Sequence, residues 1–324
     1  MIIVTGGAGF IGSNLINALI EKKQEVFLCD YPELVKKNYF NKYDQIKRII
    51  PPDNLFEFIS VNDVKLIYHL GAISATTHKY PNKQWIENVL FSTKLWKICS
   101  KNNIRLIYAS SAATYGNGDL GFEDNEDINF LKNLKAMNVY GWTKNEVDIR
   151  NIFLKKTFGF CPSQWVALKF FNVYGINEFH KKNMISIVLK TFLQIKENKE
   201  TFLFKSYKKK YLDGEQERDF VYVKDCINAL VWFLDNKKIS GVFNIGTGKA
   251  NTFNDLVNAV YKSLNKNINV RYIEMPEKLK SQYQYHTQAN LSKLRKLGYA
   301  KKFYSLEEGV NDYINILKTH DIFS

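Results

Sequence analysis

The chain has 324 residues, 45% of them hydrophobic and 15% aromatic, which excludes a disordered composition and leaves room for one large domain or two. Its formal charge of +14 raises the question of an anionic partner, but the lysines are dispersed, and the longest run is Lys208-Lys209-Lys210. The excess therefore reads as solvated faces, without a nucleic-acid or membrane surface. The N-terminus has no basic segment ahead of an apolar one, no apolar run could span a bilayer, and cysteines 29, 99, 161 and 226 lack metal-ligand or disulfide spacing. A cytoplasmic protein without a metal site is expected.

The pattern opens with a buried strand over Ile2–Thr5, then Gly6-Gly7-Ala8-Gly9-Phe10-Ile11-Gly12 and a helix over Ser13–Lys22. Glycines between a strand and a helix permit a tight turn and let backbone N–H groups approach a pyrophosphate at the helix N-terminus. A second strand, Glu25–Cys29, ends at Asp30 and Tyr31. An acid there gives the glycine triplet its dinucleotide-binding context and would bond the adenosine ribose, favouring NAD. Lys36 and Lys37 follow and could hold a 2′-phosphate instead, so these residues leave NAD and NADP open.

A strand over Val64–Leu70 leads into Leu70-Gly71-Ala72, where small residues let backbone lie along a cofactor; a plain strand-end turn is the alternative. Residues 84–100 space Ile86, Val89, Leu90, Leu95 and Ile98 for one helix face. Asn88, near its start, is expected to hold backbone beneath the cofactor. The strand Arg105–Ala109 runs into Ser110-Ser111-Ala112-Ala113-Thr114-Tyr115-Gly116. A hydroxyl at a strand's carboxyl end can bond a reacting oxygen; Ser111 is the choice, with Ser110 and Thr114 as alternatives. A helix over 140–157 carries Tyr140 and Lys144 four residues apart, on one face. An ammonium beside a phenol favours the phenolate, which can take a proton from an alcohol while hydride leaves the same carbon. Alone, the spacing reads first as an ordinary surface pair.

A strand over Trp165–Phe170 follows, and then the pattern loosens. Helices are expected at 184–197, 224–236, 253–264 and 305–318, strands near Thr201–Phe204 and Val270–Ile273, and a return to the sheet at Gly241–Ile245. The fold class is α/β: a Rossmann-type doubly wound parallel sheet with a smaller, interleaved α/β substrate lobe. Residues 1–172 form the dinucleotide-binding domain, with a return segment at about 224–250, and 173–324 form mainly the substrate lobe.

In chain order, the glycine motif, SSAATYG, YxxxK, FFNVYG and RDFVYV resemble the extended short-chain dehydrogenase/reductase family of nucleotide-sugar enzymes, over essentially the whole length. LGAISATT, NVYGWTK, KFFNVYGINEFHKKNM, FNIGTGKA and YQYHTQA narrow the resemblance to members that act on an ADP-bound heptose. It implies that a tightly held NADP oxidises carbon 6 of the heptose and returns the hydride to the other face of the ketone, without net redox change. The product serves as inner-core heptose of lipopolysaccharide. Tyr140 then serves one side of the carbon, and Lys181 matches the family's second acid/base position. His180 is a rival by residue type, and an ordinary loop lysine or a phosphate contact is the alternative for Lys181. A partly desolvated lysine can exchange a proton near neutrality.

The resemblance also implies sugar and cofactor contacts at Asn172 and Val173, a sugar contact at Asn183, and a loop over the adenine beginning at Phe204. Arg218 and Tyr283 match contacts to the diphosphate or sugar; for Arg218 an ion pair with Asp219 or Asp225 is the alternative. Lys37 matches a lysine near the 2′-phosphate, which favours NADP. A homo-oligomer, a pentamer, is implied as well. Three features depart from the pattern: a longer segment at 205–217, Lys190 in place of histidine, and Lys182 in place of glycine. A dehydratase would need an acid–base pair where Ala112 and Ala113 stand, a 4-epimerase has no evident need for Lys181, and a non-catalytic dinucleotide sensor would be expected to lack Tyr140 or Lys144.

Overall fold

The computed structural model describes residues 1–35, 45–75, 80–280 and 282–319, without the side chains of 182, 183 and 278. Short runs of apolar residues give strands β1 (Ile2–Thr5), β2 (Val26–Cys29), β3 (Arg48–Ile50), β4 (Leu66–His69), β5 (Arg105–Ser111) and β6 (Trp165–Phe170). Further along lie β7 (Asn172–Tyr174), β8 (Thr201–Phe204), β9 (Glu217–Arg218), β10 (Phe220–Tyr222), β11 (Gly241–Ile245), β12 (Asn251–Thr252) and β13 (Val270–Ile273).

Seven strands form one sheet in the order β3-β2-β1-β4-β5-β6-β11, and every pairing is parallel. Every residue of β1, β4, β6 and β11 is buried, as strands covered on both faces must be. From β1 the chain moves outward to β2 and β3, then returns to place β4 on the other side. Right-handed crossovers put the helices that follow β1 and β4 on opposite faces. The carboxyl ends of β1 and β4 therefore open a crevice where ligands bind in such sheets. Trp96 and Trp165 meet edge to face at 5.5 Å in the core on the β5–β6 side.

Three two-stranded pairs, β7–β10, β9–β12 and β8–β13, lie outside this sheet. The pairing of β7 with β10 registers Asn172, Val173 and Tyr174 against Phe220, Val221 and Tyr222. The NVYG and RDFVYV segments thus lie side by side.

Several elements differ from expectation. The helix expected over 84–100 is continuous only in outline: a π-helical stretch, Trp85–Leu90, separates Pro81–Gln84 from Phe91–Lys101. Asn88 lies within that stretch. β5 runs on to Ser111, two residues past the expected end. The helix expected from 184 starts at Ile187, because Ser186 caps it by accepting from Leu189 N–H; a short 3-10 helix, Phe179–Met184, comes first and carries Lys181. No helix among the described residues is long and apolar enough to cross a membrane.

Candidate active site

The glycine loop is shaped by close backbone approach. Gly6 has φ +68°, and a Cβ there would stand 2.5 Å from Gly71 N. A Cβ on Gly12 would fall 2.1 Å from Gly6 O. These contacts hold the helix Phe10–Glu21, headed by Phe10 and Ile11, tightly against the end of β1. Gly9 N–H donates to Gly6 O at 3.0 Å. Asp30 ties the loop to β2: its carboxylate accepts Ala8 N–H at 3.0 Å and Tyr31 N–H at 2.9 Å. Burial pushes its pKa up, and those two N–H bonds oppose the rise. The loop is a cradle that only glycine's missing side chain keeps open, with an acid at its rim. These residues fit a dinucleotide. Lys36 and Lys37 lie outside the described residues.

Leu70, Gly71 and Ala72 leave β4 beside this loop, where Gly71 N–H donates to Thr5 Oγ1 at 3.3 Å. Asn88 is buried and grips the next residue of that segment from both sides. Its Oδ1 accepts Ile73 N–H at 2.8 Å, and its Nδ2 donates to Ile73 O at 3.1 Å and to Thr143 Oγ1 at 3.1 Å. Asn88 thus couples the backbone at Ile73 to the helix that carries Tyr140 and Lys144.

That helix, Val139–Phe158, begins at Asn138, which caps it through Gly141 N–H at 2.8 Å. Because β5 extends through both serines, they point to opposite faces. Ser110 points inward and donates to Asp148 Oδ2 at 2.6 Å. Thr114 donates to Ser111 O and receives Lys169 Nζ, both at 2.8 Å. Both alternatives are therefore committed elsewhere, whereas the half-buried Ser111 bonds the Tyr140 phenol and accepts Ala113 N–H at 3.1 Å. Ser111, Tyr140 and Lys144 come together as a set.

One electrostatic expectation is overturned. The Tyr140 pKa is not lowered; burial pushes it up, and the Ser111 hydrogen bond opposes this. Lys144 does not offset the rise. Its Nζ donates to Ala109 O at 2.7 Å and lies 5.9 Å from the Tyr140 ring centre, so its charge is spent largely on the end of β5. Burial pulls the Lys144 pKa down to about 8, with Asp148 pulling the other way.

Lys181 is carried to the dinucleotide end by its own loop. Asn14 Nδ2 donates to Ile176 O at 2.9 Å, Asn177 Nδ2 donates to Ser13 Oγ at 3.1 Å, and Lys181 Nζ lies 4.8 Å over the Phe10 ring. Its side chain is 25% exposed and 3.8 Å from Glu178. Burial lowers its pKa, and Glu178 opposes the fall. The neighbouring His180 is exposed. The side chain of Asn183 lies outside the described residues.

A second cluster forms in the smaller lobe. Buried Arg218 lies 5.1 Å from the Tyr283 ring and 5.6 Å from that of Phe253, and Phe204, at the end of β8, meets Tyr283 at 6.4 Å. The Arg218 guanidinium donates to Glu217 O at 2.8 Å and to Gln284 O. Neither acid proposed as its alternative partner is engaged with it. Asp219 accepts the N–H groups of Thr247, Gly248 and Ala289, and Asp225 accepts Tyr304 N–H. Gln284 also donates to Gly116 O, joining this lobe to the turn after Ser111. Asn172 is exposed and Val173 half-buried on β7, whose Asn172 N–H donates to Asp219 O at 3.0 Å.

Sequence reasoning missed Glu178, Asn177, Asn14 and the buried Asp148–Lys169 pair. Only Asp148 had a local signal, one helical turn beyond Lys144. The others act through contacts between segments far apart in the chain.

A dinucleotide cradle at a topological switch point and a Ser–Tyr–Lys set on β5 and its neighbouring helix define a nucleotide-dependent epimerase or dehydratase scaffold. The chain belongs to the NAD dependent epimerase/dehydratase family, whose model matches residues 2–246. Among its relatives, it is 43% identical to the ADP-L-glycero-D-manno-heptose-6-epimerase of Fusobacterium nucleatum, with 100% of both chains covered, and 40% identical to that of Nitratidesulfovibrio vulgaris, with 97% of each covered. Its fold is similar to the crystal structure of the Helicobacter pylori enzyme of that name (TM-score 0.77, 29% identity, covering 98% of this chain and 96% of the other). A UDP-N-acetylglucosamine 4-epimerase from Methanobrevibacter ruminantium shares the fold (TM-score 0.80, 23% identity, 98% of each chain).

Proposed function

We propose that the protein inverts carbon 6 of the heptose of ADP-D-glycero-D-manno-heptose, giving the L-glycero epimer. The names of its full-length relatives supply the substrate. The observation that carries the mechanism is Lys181 over Phe10, at the head of the dinucleotide helix. It gives the site a second proton-exchanging group, on a different element from Tyr140. A bound nicotinamide dinucleotide supplies hydride acceptance and return. Tyr140, in its ionised form, takes the hydroxyl proton on one side, with Ser111 aligning the oxygen and Lys144 fixing the helix against β5 and holding the nicotinamide ribose. The ketone then presents its other face to the returning hydride, and Lys181 gives the oxygen its proton in that orientation, so re-reduction yields the opposite configuration.

Gly6, Gly9, Phe10, Ile11 and Gly12 would bind the pyrophosphate, Asp30 and Tyr31 the adenosine ribose, and Leu70, Gly71, Ala72 and Val173 would line the cofactor. Asn88 acts beneath it as a positioning residue. Asn172, Asn183, Phe204, Arg218 and Tyr283 receive the ADP-sugar; a buried guanidinium with no carboxylate partner among the described residues suits the diphosphate. We infer NADP from the resemblance at Lys37. Asp30 at the end of β2 favours NAD, and identifying the dinucleotide released on denaturation decides between them. Division near residue 172, a homo-oligomeric state and a cytoplasmic location complete the reading.

Changing Lys181→Met tests the mechanism. Turnover should fall by ~10²–10⁴-fold while the bound dinucleotide and the melting temperature stay unchanged. A fully active variant would remove the second proton route.

A further inference from the structure

Glu178 is fully buried, yet it is not one of the groups that the proposed reaction uses. Its Oε1 receives Ser186 Oγ–H at 2.6 Å, Gly175 N–H at 3.3 Å and the Tyr313 hydroxyl at 3.3 Å. Its Oε2 receives Ser186 N–H at 2.5 Å and faces Lys181 Nζ at 3.8 Å. One carboxylate thus ties together the end of the NVYG segment, the cap of the helix Ile187–Lys196, the C-terminal helix Leu306–Thr319 and Lys181.

We propose that Glu178 is the positioning residue for Lys181: it sets the geometry of the 175–186 loop and holds the ammonium at the dinucleotide end of the crevice. The inference rests on the proposed role of Lys181. Among the described residues, the charged and titratable groups around this site are Glu178, Lys181, His180, Lys190 and Tyr313. Lys190 faces the same carboxylate and repels Lys181, so among the described residues Glu178 is the acid that both lysines face. Tyr313 keeps its proton, since burial and Glu178 both push its pKa well up, and so remains a donor.

The sign of the effect follows from the charges. Removing the negative charge leaves Lys181 desolvated beside Lys190, so its proton is lost at lower pH. In Glu178→Gln, the limb of the kcat–pH profile that is absent from Lys181→Met should move about one unit towards acid, and kcat at neutral pH should fall about tenfold or more with KM within about twofold. Glu178→Asp keeps the charge but shortens the reach. It should leave that limb in place and still lose about tenfold in kcat. Wild type and Lys181→Met are measured alongside. If wild type turns over and Lys181→Met does not, but the Glu178→Gln limb coincides with wild type, the positioning role is wrong and the proposed function survives. If Lys181→Met is fully active, the proposed function fails first. Should Glu178→Gln not fold, Glu178→Asp decides alone: a kcat equal to wild type overturns the role, and a loss with an unmoved limb supports it.

Discussion

At the scale of single residues, the site depends on where each polar atom is spent. Ser110 and Ser111 are adjacent and chemically identical, but the strand's two-residue period sends one to Asp148 and the other to Tyr140. The sequence offered Ser111 with Ser110 and Thr114 as alternatives, and the strand's end at Ser111, which separates the two serines by face, was not legible. The Tyr–Lys spacing was equally legible, but its consequence was misjudged. Spacing places two side chains on one face; it does not say that Ala109 O will claim the ammonium. The Lys144 pKa lies near 8, below its ordinary 10.5. Burial of its charge therefore costs stability below about pH 8, and the cost fades as pH rises from there towards 10.5. In the proposed reaction the same titration would remove the charge that holds the cofactor ribose. We expect kcat/KM to decline on the alkaline side with a midpoint near pH 8, and that limb to vanish in Lys144→Arg. Tyr140→Phe should lower kcat by ~10²–10⁴-fold with an unchanged circular dichroism spectrum. Gly12→Ala, by contrast, forces a methyl group into Gly6 O. Purified variant should carry substoichiometric dinucleotide and lose about 1–3 kcal/mol of stability in urea titration.

At the scale of elements, a buried ion pair stands behind the Ser–Tyr–Lys set. Lys169 on β6 and Asp148 on the helix Val139–Phe158 meet at 2.8 Å with both side chains wholly buried. Asp148 also receives Tyr108 and Ser110, and Lys169 also donates to Thr114. The pair therefore registers helix, sheet and serine turn against one another. Lys169→Met leaves Asp148 uncompensated and should cost about 3–5 kcal/mol in urea unfolding, most of it recovered when Asp148→Leu is added. An undiminished stability in the single variant would contradict this account. Asp148 had only its place one turn beyond Lys144, and Lys169 had no signal: a lysine in an apolar strand and an aspartate on a polar helix become partners only across 21 residues of chain. The π-helical stretch around Asn88 was hidden for a similar reason. Periodicity placed the helix correctly, but the two-way bond to Ile73 depends on a loop that no helical pattern encodes.

For the whole molecule, alternation of strand and helix made the parallel sheet readable, and β11 enters it beside β6 in the expected place. Pattern alone did not reveal how NVYG and RDFVYV pair as β7 and β10, or that the loop after NVYG folds back onto the first helix through Asn14 and Asn177. Those contacts join chemistry-bearing segments more than 160 residues apart, Asn14 with Ile176 and Asn177 with Ser13. They bring Lys181 to the crevice and so, in the proposed reaction, change the outcome of a Ser–Tyr–Lys site from oxidation to inversion. The most direct measurement of that claim is NMR of purified protein incubated, without added cofactor, with ADP-D-glycero-D-manno-heptose and in parallel with UDP- and GDP-hexoses. The account predicts inversion at carbon 6 of the ADP-heptose and unchanged hexoses. An unchanged heptose beside an epimerised UDP-hexose would contradict it.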